Sequence, residues 1–442
     1  MRRSYRRLFL FTVFLSIAEL AAVDNAHFYK APLLHRMSTT CWFEESRKYE
    51  VSDWLTKFDF TYAYGDSGTA WNQDGDTTLL LNITGNHNML YLMENVSQID
   101  PAYQHFANFF ANAQINHWAT NNNFGQLEFD GKFRINDFNI NWRQNLVSGF
   151  FFELLVPIRD VTIKDIRYID LSPETGRFSK QTGEWRQFLN QFDVILANYD
   201  YKPYATSYSA TDLGDISFNI GWEGIKEYKE EESLEFLGFM LKTGVLFPSG
   251  KTDDVDYCFS VPTGYNDHWG INFNAQLDMG INSWLSVAVH ASATVFFDES
   301  EVWRRMKTFS KQNGFIKLEK GKAEEEKGSI WHIGADIKFD HVGIGLSLLV
   351  GYSFNKQEND TLNPVDKDRF DHVVVNSDSV LAGWEMHVLH FMADYDFSVH
   401  MNKKGKWAPR INIFYNWLFE GEGVFKTDMF GGGLGIDLRW KI

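Results

Sequence analysis

Cysteine and proline are scarce: the 442 residues include two cysteines, Cys41 and Cys258, and nine prolines. So little cysteine excludes a disulfide-built scaffold. There is no Cys-x-x-Cys, no His-Glu-x-x-His and no Cys/His cluster, which argues against a structural zinc site. Nor is there a Gly-x-Ser-x-Gly elbow, or a Ser, His and carboxylate set at a familiar spacing, so a hydrolase nucleophile is not indicated. The expectation is a protein without enzymatic activity, cofactor or metal. Positive charge is also short. Asp plus Glu outnumber Lys plus Arg by 58 to 42, and the formal net charge of −16 speaks against a nucleic-acid partner. Long apolar runs are missing except near the N-terminus, and mean hydropathy is −0.31, which excludes a bundle of membrane helices. Aromatic residues, by contrast, make up 16%, too many for a disordered acidic chain. An aromatic-rich, proline-poor chain that is polar on average suits β-structure with one apolar and one wet face.

The first residues have the three parts of a secretory signal: Arg2, Arg3, Arg6 and Arg7, an apolar run from Leu8 to Ile17, then Ala18, Ala21 and Ala22. Cleavage after Ala22 or Ala26 is expected, so residues 1–22 are read as a signal peptide. Residues 23–56 show little alternation and are read as an N-terminal periplasmic or plug segment. Export permits a disulfide, but the connectivity of Cys41 and Cys258 is not written in the sequence.

From residue 57 to 442 the dominant pattern is strict period-two alternation. Trp269, Ile271, Phe273, Ala275, Leu277, Met279 and Ile281 form one face, opposite His268, Asn272, Asn274, Gln276 and Asp278. A helix, with its period of 3.6, would scatter these residues around its circumference. Similar faces include Phe58/Phe60/Tyr62/Tyr64, Leu79/Leu81/Ile83, Leu127/Phe129/Phe133/Ile135, Phe138/Ile140/Trp142/Leu146 and Ile411/Ile413/Tyr415/Trp417. The count is about 14 strands, with 12 to 16 as its bounds. Links near 147, 225–234, 282, 341 and 399–406 are short or modest and fall on one side. Those at 167–210, 248–267, 298–328, 357–384 and 419–426 fall on the other, and most are long. A tight link at 136–137 and a long one at 86–124 break the rule. Two helices are expected: one after Asp100-Pro101, with Tyr103, Phe106 and Phe110 on one face, and one over 184–199. Either is a plug, a lid or a helix packed on the rim.

The apolar faces run longer than soluble strands, aromatics such as Trp222, Phe247, Trp331 and Trp417 cluster near strand ends, and the opposite faces are polar. Together these point to one transmembrane antiparallel β-barrel with short periplasmic turns, long extracellular loops and one or two loop or plug helices. The final segment, with Leu434, Ile436, Leu438, Trp440 and Ile442 at alternate positions, resembles the terminal-strand signal of bacterial outer-membrane barrels, though that family most often ends in Phe. The resemblance implies residence in a Gram-negative-type outer membrane, contact with its lipid and recognition by the barrel-assembly machinery. Gly244-Val245-Leu246-Phe247-Pro248-Ser249-Gly250-Lys251 resembles a strand-end pattern of the long-chain fatty acid and aromatic-hydrocarbon transporter barrels. That likeness implies 14 strands and an N-terminal hatch, but the hatch's Asn-Pro-Ala signature is absent.

With this register, Asn272, Asn274, Gln276, Asp278, His290, Asp336, Lys338, Asp394, Asp396, Arg410, Asn412, Asp437 and Arg439 face the lumen, as do His268, His332, His390 and Lys441. Their mixed signs point to a salt-bridged lumen more than to a single-sign filter. The acidic loop runs are either solvated or hold divalent cations. The functional expectation is a channel or transporter that passes small solutes, hydrophobic ones among the options, by diffusion through a gated or plugged lumen. The alternative is a structural or surface-recognition barrel with a closed lumen.

Overall fold

The structure, a computed structural model, describes residues 54–116, 122–228, 234–297, 300–397 and 407–440. The signal segment, Cys41 and the terminal Lys441 and Ile442 lie outside these residues. Twelve antiparallel strands close into a barrel. In chain order they are β1 (Trp54–Ser67), β2 (Gln126–Asn145), β3 (Phe150–Asp170), β4 (Ile216–Glu227), β5 (Phe236–Phe247) and β6 (Gly270–Asn282). Then follow β7 (Leu285–Phe296), β8 (Ile330–Gly343), β9 (Leu346–Gln357), β10 (Trp384–Asp396), β11 (Trp407–Glu422) and β12 (Asp428–Trp440). Each pairs with its chain neighbours, and β12 returns to β1 with Phe58 opposite Ile436 and Phe60 opposite Leu434. No described helix is long and apolar enough to cross a membrane.

The number of wall strands is therefore twelve rather than fourteen, for two physical reasons. Leu79, Leu81 and Ile83 do not belong to a wall strand; a one-turn 3-10 helix at Leu80–Asn82 runs between Leu79 and Ile83, and Leu81 and Ile83 are packed inside the loops. The supposed turn at 136–137 is the middle of one 20-residue strand, β2. Along β2 the apolar face changes sides. Phe138, Ile140 and Trp142 lie on the outer face, while Leu127, Phe129, Phe133 and Ile135 are buried on the inner face. The polar residues change in the opposite sense: Lys132 and Arg134 point out, and Asp137, Asn139, Asn141 and Arg143 point in. β3 does the same, with Phe152, Leu154, Val156 and Ile158 outward below Asp160, and Val161 and Ile163 inward above it. A strand that leaves lipid for water must stop presenting apolar groups outward. Here it packs them inward against folded loops instead.

With these two corrections the connections obey one rule. Links 146–149, 228–235, 283–284, 344–345 and 397–406 lie at one end, with the start of β1 and the end of β12. Connections 68–125, 171–215, 248–269, 297–329, 358–383 and 423–427 lie at the other. The long connection that includes 86–124 thus belongs to the loop end.

Below the change of face the outer surface is an apolar belt: Phe273, Leu277, Val289, Ile333, Ile413 and Leu434 are 38–57% exposed. Aromatic pairs border it at both rims. Trp222 with Phe239 and Tyr395 with Phe397 mark the short-link rim. Phe247 with Trp269 marks the loop rim, where the Tyr62 hydroxyl also donates to Asn136 at 2.7 Å. Closure, an exposed apolar belt and aromatic rims identify a wall built for lipid.

Arginine on the outer face should therefore cost stability by depth. Ile140→Arg, within the belt, should lose about 2–4 kcal/mol in urea unfolding from lipid vesicles, and Asn136→Arg at the rim about 0–1 kcal/mol. Equal losses would mean that the boundary is misplaced.

Candidate functional site in the barrel interior

Period-two geometry sends every second residue of a wall strand inward, and in the belt zone those residues are mostly polar. Gln276, Asp278, His290, Asp336, Lys338, Asp394, Asp396, Arg410 and Asp437 are all buried on the inner face. Asn272, Asn274 and Asn412 share that face but keep partial solvent exposure. The side chain of Arg439 lies outside the described residues. His268 is buried just before β6, at the foot of the loops, 4.0 Å from Glu325.

Several interior groups went unremarked in the sequence. Lys242 bonds Glu153 at 2.7 Å, Arg143 bonds Glu223 at 2.6 Å, and Asp59 accepts from Arg410 at 2.9 Å. Their signal was the complement of the apolar faces. Asp59, for instance, sits between Phe58 and Phe60, and polar partners at such positions are the inner wall. Pairing matters here because a lone buried charge is costly to desolvate.

Many of these side chains lie along the wall, each over a glycine of the neighbouring strand. His290 covers Gly334, Asp336 covers Gly351, and Asn219 covers Gly244. A Cβ on Gly334 would stand 2.2 Å from His290 Cε1. At the seam, Arg410 of β11 reaches Asp59 of β1 by crossing β12 at Gly435. The missing Cβ opens that route.

A polar ladder crosses four strands. His290 Nδ1 and His332 Nε2 are 3.0 Å apart, His332 Nδ1 lies 2.6 Å from Asn355 Oδ1, and Asn355 donates to Ser353 Oγ at 3.3 Å. Ser353 Oγ in turn lies 2.8 Å from His390 Nε2. The amide oxygen of Asn355 assigns a proton to His332 Nδ1, which leaves His332 Nε2 to accept from His290. The Asp336 carboxylate lies 3.9 Å from His290 Nε2.

The loop end is different in kind. Helices α1 (Gln104–Ile115), α2 (Gly183–Asn190) and α3 (Phe192–Ala197) bury Phe106, Phe110, Trp185, Phe188, Ile195 and Leu196 in one apolar core. The inward Phe129, Phe133 and Val161 of the wall join the same core. Asp100 caps the short turn before α1 by accepting from Ala102 N at 2.8 Å. The Trp185 indole donates to Asp170 at the end of β3 at 2.9 Å. Polar side chains tie the loops together. Arg305 donates to Val255 O, Leu318 O and Tyr199 O at 3.0, 2.8 and 2.7 Å. Gln312 donates to Tyr91 O at 2.9 Å and accepts from Thr308 N at 2.8 Å. Burial pushes the Cys258 thiol up to about 12, so it is protonated and packs as a small apolar group. Glu325 is held well below the usual carboxylate range by Arg304 and Lys327, against the opposing effect of its burial. Together the loops form a cap rather than a set of independent lids.

No protein-family model matches the chain, and no curated protein matches it. Among solved structures, the chain resembles an outer-membrane channel from Pseudomonas putida F1, at 9% identity over 87% of this chain and 95% of that one, with a TM-score of 0.43. It also resembles the Pseudomonas putida toluene transporter TodX, at 10% identity over 95% of each chain and a TM-score of 0.30. A Pseudomonas aeruginosa FadL homologue matches at 9% identity over 88% of this chain and 90% of that one, with a TM-score of 0.27.

Two substitutions test the seam and the cap. Gly435→Val would place Cβ 2.8 Å from Asp59 Oδ1 and 2.9 Å from Arg410 Nη2. Splitting this pair should cost about 3–5 kcal/mol and lower the temperature at which the folded band is lost in heat-modifiability gels. Arg305→Met should cost the cap about 2–4 kcal/mol, because three carbonyls lose a charged donor. Faster proteolysis within 171–215 and 248–269, with the barrel band intact, is the expected readout.

Proposed function

We propose that the chain is an exported barrel of a Gram-negative-type outer membrane that passes small solutes through a polar lumen closed at its loop end by the folded cap. In this reading residues 1–22 are the removed signal and residues 23–56, the last three of which already enter β1, an N-terminal periplasmic or plug segment. Leu434, Ile436, Leu438, Trp440 and Ile442 are the strand read by the barrel-assembly machinery. The lumen path runs along Asn272, Asn274, Gln276, Asp278, His290, Asp336, Lys338, Asp394, Asp396, Arg410, Asn412, Asp437 and Arg439.

One observation carries the reading. Inward polar positions on opposite walls keep partial solvent exposure: Asn272, Asn274 and Ser292 on β6 and β7, and Thr61 and Asn412 on β1 and β11. A barrel that served only as an anchor would need no such water-reached polar surface at mid-wall. The buried inner-face groups carry both signs with carboxylates in the majority, which favours neutral, zwitterionic or cationic small solutes over anions. The cap supplies the barrier, because its apolar core stands between the lumen and the outside.

The rival reading is a surface-recognition barrel. It draws on the exposed Trp303 of the three-stranded loop sheet, which comprises Ser300–Arg305, Lys320–Glu326 and Thr361–Pro364. Planar-bilayer recording separates the two. Purified barrel should give discrete steps, larger or more frequent in Arg305→Met and lowered by at least about half in Asn274→Trp, which fills the lumen. A folded barrel that is silent as wild type and as Arg305→Met, with no solute uptake into vesicles, would sink the channel and leave recognition.

A further inference from the structure

His87 joins the first long connection to the fourth. Its backbone pairs with Leu127 at the loop end of β2, and its Nε2 accepts the backbone N–H of Phe315 at 2.9 Å, across 228 residues of sequence. The ring is fully buried. It stands edge-on to Phe129 of β2 at 4.7 Å and to Phe259 of connection 248–269 at 6.3 Å. It also lies against the backbone of Gly314, where a Cβ would come within 2.2 Å of Cδ2, and Gly314 has φ +83°. Only glycine combines that open space with that backbone angle. One imidazole thus touches the wall and two loops, at the height where β2 has left the belt.

We propose that His87 is an acid-released latch of the cap: it holds the loops shut as a neutral acceptor and lets go when protonated. Accepting from Phe315 places the ring proton of neutral His87 on Nδ1. The next proton must then go to Nε2, the atom that accepts the Phe315 N–H, so protonation sets donor against donor. The ionised group that faces the ring is Lys317, on the same connection as Phe315, and its like charge opposes a second cation. Lys317 is held in place by Asp378 of connection 358–383 at 2.5 Å. From β2 and connection 248–269 the ring meets only the uncharged Phe129 and Phe259 among its ring contacts.

Burial first, then Lys317, lowers the pKa of His87 from 6.5 to about 3. The sign follows by linkage. Between these values the closed cap holds no proton on His87 Nε2 and the opened ring takes one, so acid favours the open form and neutral pH the closed one. Each pH unit in that window shifts the balance roughly tenfold. The inference concerns the cap alone and does not depend on solute passage.

Hydrogen exchange on the folded barrel in detergent or lipid tests it, with rates corrected for intrinsic chemistry. Protection of the Phe315 amide and of 87–92 should fall roughly tenfold per pH unit from about pH 6 to pH 4, while the belt strands keep theirs. In His87→Gln, Oε1 can replace Nε2 as acceptor without titrating, and the same amides should lose at most about threefold over that range. The same tenfold fall in His87→Gln would overturn the latch and point to the carboxylates. Nitrogen-15 spectra of the wild-type ring provide a check independent of any variant. The Nδ1–H tautomer should persist at pH 6 for as long as Phe315 stays protected. A ring that titrates near 6.5 with Phe315 still protected would refute the proposal.

Discussion

A sheet immersed in lipid cannot leave an edge unpaired, because no water is present to satisfy the stranded N–H and C=O groups. Closure between β1 and β12 therefore constrains everything else in the wall. It forces the strands into one ring, and the ring turns every second side chain toward a crowded interior. Large polar side chains fit there by lying flat over glycines of the next strand, as His290 does over Gly334 and Asp336 over Gly351. The glycines of β12 belong to this requirement. Gly435 lets the Arg410–Asp59 pair bridge the closing strand, so the same residue that weakens local strand propensity strengthens the seam.

The second constraint is the end of the lipid. β2 and β3 continue past it, and their apolar residues move from the outer to the inner face within a single uninterrupted strand. That inversion creates the surface on which the cap is built. Phe129, Phe133 and Val161 offer an apolar wall, and the loops answer with Phe110, Trp185 and Phe188. Arg305 and Gln312 then bind loops that are far apart in sequence through backbone carbonyls, which makes the cap one cooperative body.

The interior thus has two zones stacked along the axis, a polar one inside the belt and an apolar one under the loops. Water reaches Asn274 and Asn412 in the first zone, while the second is dry. His87 sits in the dry zone and joins the loop end of β2 to the connection that carries Phe315.

The alternation of residues along the chain determined the architecture, because period two is a local property: one lipid-facing side per strand and the strands that carry it. It also determined the helix after Asp100-Pro101 and, where a strand keeps one apolar face, which residues lie opposite that face, since parity follows from the neighbours. It could not determine the number of strands. An apolar pattern that changes sides reads the same whether the chain turns or the solvent changes, and at 136–137 only the continuous pairing of β2 with β1 and β3 decides between them. Leu79, Leu81 and Ile83 are ambiguous for a related reason, since alternation alone does not separate a lipid-facing strand from a segment buried in a cap. The cap itself was invisible, because Arg305, Gln312 and His87 find their partners through space. Local pattern carries the face of a residue; which distant backbone a side chain meets is settled only when the barrel has closed and its loops have packed.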